Sequence, residues 1–221
     1  MTEGAKPAPF PGFVEPCAPT ARQCPPPGDG WLHEIKHDGY RLQAHVREGA
    51  VSLYTNHRGN DWALRMPTIA ASVRALPVNN VILDGELVAV DAKGNPVSYE
   101  LTDELKKRVK AKLVFYAFDL LYLDGFDLRA ADLVDRKRVL EALLADAKGV
   151  QLVKHVDHIA GNGELVLEHA CKLGLEGIVS KRADAPYRSG RSTDWIKTKC
   201  EASKKANRDR FEKTRKKPDL S

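Results

Sequence analysis

The sequence predicts an α+β fold built on antiparallel sheets with flanking helices. Strand-like segments follow one another directly, as in "WLHEIK" and "YRLQAHV" on either side of "HDG". Two long apolar runs, "VILDGELVAV" and "KLVFYAFDLLYLDG", read as strands. Helical spacing is confined to three separate stretches, and a regular βαβ alternation is not apparent.

Residues 1–30 are rich in Pro and Gly ("KPAPFPG", "CPPPGDG") and read as an extended leader, mostly without regular structure. From Trp31 the pattern becomes β-like, with candidate strands at 31–36, 40–46 and "VSLYT". Residues 67–76 are predicted helical, with Pro67 at the start. The run 81–90 is a strand that "DAKGN" turns, and 112–125 is a second long strand ended by Asp-Gly. Leu133, Leu140, Leu143 and Leu144 give 133–147 helical spacing. A third helix covers 163–174, with Gly174 as C-cap. "EGIVSKR" and "DWIKTKC" are short late strands. The predicted organisation is a leader (1–30), one catalytic domain (31–199) and a basic tail (200–221).

The chain has 221 residues, 43% hydrophobic and 29% charged, the composition of a folding protein. No apolar run approaches the ~20 residues that a membrane span needs. The N-terminus lacks a basic start followed by an apolar core, so no secretory signal is read and a cytoplasmic location is expected. Cys17, Cys24, Cys171 and Cys200 form no C-x-x-C pair, which argues against zinc and for reduced thiols. The net charge is +5, and residues 200–221 alone carry eight Lys/Arg against four Asp/Glu. Such a tail suits an anionic partner such as nucleic acid, or is simply a solvated terminus.

Alternation along 31–36 puts Leu32, Glu34 and Lys36 on one face. Gly39 permits a sharp turn that returns Arg41 toward Lys36. In "LDGEL", Asp84 and Glu86 share one side of a strand that otherwise reads as buried. Such carboxylates need a partner: a metal, a lysine or a ribose hydroxyl. Lys197 and Lys199 share a face in "WIKTKC", and like charges two apart repel unless an anion lies between them. "EGIVSK" adds Glu176 and Lys181. This set suits a polyphosphate with a divalent cation, since Mg²⁺ prefers one or two carboxylates plus phosphate oxygens. No Walker loop, G-x-G-x-x-G, H-E-x-x-H or G-x-S-x-G is present, which leaves lysine as the candidate nucleophile.

In order along the chain, "KHDGYR", "LDGEL", "FYAFDLLYLDG", "LEGIVSKR" and "WIKTK" resemble the motifs of the covalent nucleotidyltransferase superfamily, and specifically the adenylation domain of ATP-dependent DNA ligases. "YRSGRSTDWIK" narrows the resemblance to the ligase module of bacterial end-joining ligases and their short stand-alone relatives. The resemblance implies an ATP-grasp-like nucleotidyltransferase fold. It implies that Lys36 takes AMP from ATP as a phosphoramidate, with Mg²⁺ (or Mn²⁺), and passes it to a 5′-phosphate of nicked or broken double-stranded DNA.

It further implies that Glu34 lies near the adenine edge, that Arg41 meets the ribose or the nick phosphate, and that Glu86 meets the ribose or metal. Phe118 would stack on adenine and Glu176 would help hold the metal. Lys181, Lys197 and Lys199 would meet the α-phosphate and its departing or incoming groups. Arg58, in "YTNHRGNDW", is the candidate for the family's next arginine, with His57 as the alternative.

The residues after Lys199 are too few for the OB-fold domain that follows in complete ligases. Slow self-adenylation, better activity on a pre-adenylated nick and a separate OB-fold or end-joining partner are therefore expected. An RNA ligase or capping-type enzyme, or a non-catalytic nucleic-acid-binding remnant, are the competing readings.

Overall fold

The computed structural model describes residues 2–55, 60–94, 112–147 and 150–203, arranged as two sheets with three helices. The two long apolar runs become neighbours at the centre of the first sheet, as β6 (Asn80–Val90) and β7 (Lys112–Leu123). Around them lie β1 (Lys6–Pro7), β4 (Tyr40–Arg47), β5 (Ala50–Tyr54) and β8 (Phe126–Asp127), in the order β1-β8-β7-β6-β4-β5. The strand β9 (Val153–His155) adds to β7 in parallel. The second sheet comprises β2 (Cys17–Ala21), β3 (Trp31–Ile35), β10 (Ile159–Ala160), β11 (Gly177–Arg182) and β12 (Gly190–Lys199), in the order β10-β3-β11-β12-β2. All pairings are antiparallel except β9 on β7 and β2 on β12.

Two findings differ from the sequence expectation. The Pro/Gly-rich leader contributes β1 and β2. Because β2 is an edge strand, it tolerates Pro19, whose missing N–H would break an interior ladder. The second finding concerns the two strands flanking "HDG", which do not pair with each other. β3 belongs to the second sheet and β4 to the first, so residues 36–39 carry the chain from one sheet to the other. Local pattern reads each strand correctly but cannot say which neighbour each will choose.

The main core fills the space between the first sheet and the helices α1 (Pro67–Arg74) and α2 (Leu133–Asp146), with Leu42, Leu53, Ile69, Leu83, Phe115 and Leu140 fully buried. A second cluster, including Ile82, Phe118, Tyr187 and Trp195, joins the two sheets. The third helix, α3 (Gly163–Lys172), begins at Asn162, whose side chain accepts from Glu164 N at 2.9 Å and Leu165 N at 3.2 Å. It ends at Leu173, with Gly174 just beyond at φ +73°, one residue past the cap.

Cys171 and Cys200 form a disulfide with Cα atoms 5.5 Å apart, correcting the expectation of four reduced thiols. Their separation of 29 residues gives no local signal, and only the packing of α3 beside the end of β12 brings them together. Cys17 and Cys24 are free.

The inward face of α2 holds Leu133, Arg136, Lys137 and Leu140. Both cations are nearly inaccessible to solvent, at 0% and 1%. Arg136 forks onto Asp119 of β7, with Nε to Oδ1 at 2.7 Å and Nη2 to Oδ2 at 3.0 Å, and also donates to Ala131 O at 2.6 Å. Asp119 is 0% exposed, so without Arg136 its charge would be unpaired in the interior. Arg136→Met is expected to lose about 3–5 kcal/mol in urea unfolding, and adding Asp119→Leu is expected to restore part of it. A loss below about 1 kcal/mol would show that the pair is not the buried ion pair described.

Candidate active site

The seam between the two sheets opens as a cleft of about 200 Å³. The second sheet supplies Glu34 (β3), Val179 and Lys181 (β11), and Trp195 and Lys197 (β12). The first supplies Arg41 (β4), Glu86 (β6) and Phe118 (β7). Lys36 and His37, on the crossing between sheets, complete the wall. The crossing fits only because of Gly39. A Cβ there would lie 2.2 Å from Leu87 O, inside van der Waals contact with the β6 backbone. Gly177 plays the matching part at the start of β11, where a Cβ would sit 2.1 Å from Thr198 O.

Lys36 is held by an ion pair with Glu176, and the other Glu176 oxygen meets Lys199 Nζ at 2.5 Å. Two cations on one carboxylate hold its pKa below the usual carboxylate range, against the opposing effect of burial. The expected anion near the late lysines is therefore, for Lys199, a protein carboxylate. Lys197 lines the cleft and makes no ion pair among the described residues.

Arg41 lines the cleft with its guanidinium already paired. It forks onto Asp84, with Nε to Oδ1 at 2.6 Å and Nη2 to Oδ2 at 2.5 Å. Asp84 also accepts from Tyr187 Oη at 2.6 Å, and Tyr187 Oη in turn accepts from Cys17 N at 2.9 Å. The partner demanded by buried Asp84 is thus an arginine and a tyrosine. Glu86, two residues on, makes no ion pair among the described residues. Burial pushes its carboxyl up to about 7, despite Arg41 and Lys36 nearby.

Phe118 owes its direction to an irregularity. Asp84 pairs with Asp119 and Gly85 with Ala117, leaving Phe118 as the extra residue of a β-bulge. Bulges turn a strand and re-aim a side chain. The ring faces the cleft with Lys181 Nζ 4.1 Å from its centroid and Arg41 Cζ at 4.5 Å. Lys181 also lies 4.0 Å from the Trp195 ring and 2.5 Å from Glu34 Oε2. Burial brings its pKa down to about 8, an effect Glu34 opposes and Lys137 reinforces. His37 stacks on Tyr116 with ring centroids 4.3 Å apart, and burial lowers its pKa to about 4, so it is neutral near pH 7.

The structure therefore brings Glu34, Lys36, Arg41, Glu86, Phe118, Lys181 and Lys197 to one cleft, with Glu176 paired to Lys36 and, through its other oxygen, to Lys199. Arg58 and His57 lie outside the described residues. Lys137, Tyr187 and Trp195 escaped sequence reading. For Lys137 a signal existed, since 133, 136, 137 and 140 follow the spacing of a single helix face. Tyr187 and Trp195 stand in the "YRSGRSTDWIK" stretch that narrowed the resemblance, but nothing local gives either a place in the site.

Residues 15–199 match the family described as ATP dependent DNA ligase domain. The chain belongs to this family. It is 37% identical over 193 residues to the multifunctional non-homologous end joining protein LigD of Pseudomonas aeruginosa, covering 87% of this chain and 23% of that protein. A probable DNA ligase of Mycobacterium sp. strain KMS is 36% identical over 173 residues, 76% of this chain and 33% of the relative. The crystal structure of the ligase domain from M. tuberculosis LigD superposes with a TM-score of 0.67 at 30% identity, covering 84% of this chain and 60% of that one. The mycobacterial DNA ligase D complexed with ATP and MES gives a TM-score of 0.68 at 32% identity over the same shares. The chain thus spans about a quarter of the LigD protein and less than two thirds of these solved chains. The family match favours the DNA ligase reading over the RNA ligase or capping alternatives.

For a ligase domain of this kind, Mg²⁺ is the implied cation. Among the described residues no three His, Cys, Asp or Glu side chains converge as a ready-made metal site. Mg²⁺ needs no such cage when substrate phosphates complete its shell. Glu86, desolvated and without an ion-pair partner among the described residues, fits that requirement, whereas Glu176 is already held by Lys36 and Lys199.

Glu86 has a folded-state pKa above its unfolded value, so its contribution to stability is present at low pH and is lost as pH rises through about 7. Glu86→Gln removes that loss. In thermal unfolding without nucleotide, the variant is expected to match wild type at pH 5 and to melt higher at pH 8. Equal melting at both values would contradict a desolvated, unpaired Glu86.

Proposed function

We propose that this ligase-family chain is the adenylation domain of an ATP-dependent DNA ligase, with Lys36 as the nucleophile. The observation that supports this most directly is convergence. Five motif segments scattered over the sequence meet at one cleft, and the lysine at its centre is oriented by a carboxylate from another strand connection.

In this reading Lys36 gives up a proton to solvent water and leaves Glu176. Its neutral Nζ attacks the α-phosphorus of ATP, forming a P–N bond as the P–O bond to pyrophosphate breaks. A 5′-phosphate oxygen of nicked or broken duplex DNA then attacks the same phosphorus and the P–N bond breaks, returning the amine. A 3′-hydroxyl oxygen finally attacks the 5′-phosphate, and AMP departs as the phosphodiester forms. Lys181, Lys197 and Lys199 supply fixed positive charge around the transferred group, the main catalytic requirement of an in-line phosphoryl-type transfer. Phe118 offers an aromatic face for the base, and the Arg41–Asp84–Tyr187 chain fixes Arg41 toward the sugar or nick. Bound Mg²⁺ would offset phosphate charge, held by Glu86 and Glu176.

The domain organisation we adopt keeps residues 31–199 as the catalytic unit, joined by leader strands β1 and β2. An OB-fold or end-joining module acting beside it is the partner this reading calls for, with the cytoplasm as the expected location.

Incubation with α-labelled ATP and Mg²⁺ is expected to give an acid-labile, covalent AMP adduct that is absent in Lys36→Ala. On a pre-adenylated nick, sealing by Lys181→Ala is expected to fall at least about tenfold below wild type. No adduct and no sealing by the wild-type chain would favour a nucleic-acid-binding remnant instead. An adduct formed better from GTP than from ATP would return the capping reading.

A further inference from the structure

Lys137 is a buried cation that the proposed transfer does not use. Its Nζ donates to Glu34 Oε1 at 2.6 Å and to Val156 O at 2.8 Å, and the residue is 1% exposed. The other oxygen of Glu34 meets Lys181 Nζ at 2.5 Å. One buried carboxylate, itself 2% exposed, thus carries two cations. The two are not equivalent. Lys181 lines the cleft, between the rings of Phe118 and Trp195. Lys137 is not part of the cleft wall and is anchored from α2 to the Val156 carbonyl.

A ligand changes this balance. If the base takes the aromatic face of Phe118 and the phosphate draws Lys181, then Lys181 leaves Glu34. A buried carboxylate that loses its only cation takes up a proton, because desolvation disfavours the charged form. Glu34 does not reach that state, because Lys137 remains. Its freed oxygen then faces the cleft as an ionised group, able only to accept a hydrogen bond. A purine with an amino group at C6 supplies the donor. A purine with an oxo group there presents another acceptor and is repelled.

We propose that Lys137 is a positioning residue that keeps Glu34 ionised at the base end of the cleft, and thereby sets the preference for 6-amino over 6-oxo purine nucleotides. This rests on the ligase reading above. The charged and titratable groups that face Glu34 are Lys181 from β11, Lys137 from α2, His37 from the crossing between the sheets and His158 from the segment between β9 and β10. Burial lowers the pKa of both histidines, so neither replaces Lys137 as a cation near neutral pH.

The test compares ATP with inosine triphosphate, which carries oxo for amino at C6 and, with it, a proton on N1 where adenine has a lone pair. Equilibrium Kd values and covalent nucleotide transfer to the full chain are measured at pH 6.0 and pH 8.5. Wild type is expected to prefer ATP at both values. Lys137→Met is expected to lose about tenfold or more of that preference at pH 6.0, the worth of one hydrogen bond to a charged group, and to regain part of it at pH 8.5 as Glu34 ionises. Lys137→Arg, which keeps the charge, is expected to retain the wild-type ratio.

If Lys137→Met does not fold, the Glu34→Gln/Lys137→Met double variant buries a neutral pair in its place. It is expected to show a low preference that is the same at both pH values. A Lys137→Met chain that weakens both nucleotides equally and keeps the wild-type ratio overturns the inference, as does a double variant that keeps it. A wild-type chain that binds neither nucleotide also overturns it. Binding with the expected ratios but without covalent transfer supports this role for Lys137 and overturns the ligase reading instead.

Discussion

Three carboxylates lie almost out of contact with water where the two sheets meet: Glu34, Asp84 and Asp119. An ionised carboxylate is tolerated in such a place only if a cation and hydrogen bonds replace its solvent. Each has found its cation on a different element. Glu34 of β3 takes Lys137 from α2 and Lys181 from β11, Asp84 of β6 takes Arg41 from β4, and Asp119 of β7 takes Arg136 from α2. These pairs fix how α2 sits on the first sheet and how the second sheet faces it. Removing the cation of Asp84 or Asp119 would leave a bare charge, so the arrangement is specified at high cost to any alternative.

The cleft inherits its character from that requirement. Its floor is aromatic and its rim cationic, because Phe118 and Trp195 pack in the cluster that joins the sheets while Arg41 and Lys181 lie against their rings. A purine and a polyphosphate have this same division, an apolar planar end and an anionic end. Apart from Lys197, the lysines are already paired before a ligand arrives. Lys36 and Lys199 share Glu176, and Lys181 shares Glu34. Nucleotide binding at such a site is an exchange of anions around fixed lysines, which spares it the cost of holding like charges together unpaired.

Much of the fold was legible because the local signals agree. The strands read at 31–36 and 40–46, the Pro67 start of α1 and the apolar runs of β6 and β7 all match the observed elements within a few residues. The leader was less legible. Its two short strands have no hydrophobic period of their own and exist because a sheet edge is available to each. The Cys171–Cys200 bond was illegible for a related reason: proximity came from the end of a helix meeting the end of a strand. Arg136 and Lys137 stood at core spacing on α2, but charged residues at such positions read as exceptions until their carboxylates are located.

By itself the sequence determined the chemistry available: one lysine beside a glycine turn, two acids in an apolar strand, and late lysines on a common face. Residue type and spacing settle such matters because side-chain direction alternates along a strand whatever it pairs with. The tertiary structure alone decided which of these groups meet. It made "KHDG" a crossing between sheets rather than a hairpin, placed Phe118 on a bulge, gave Arg41 to Asp84 and put Lys137 behind Glu34. Those choices depend on desolvated charge, which finds partners across the fold at distances that no local pattern encodes.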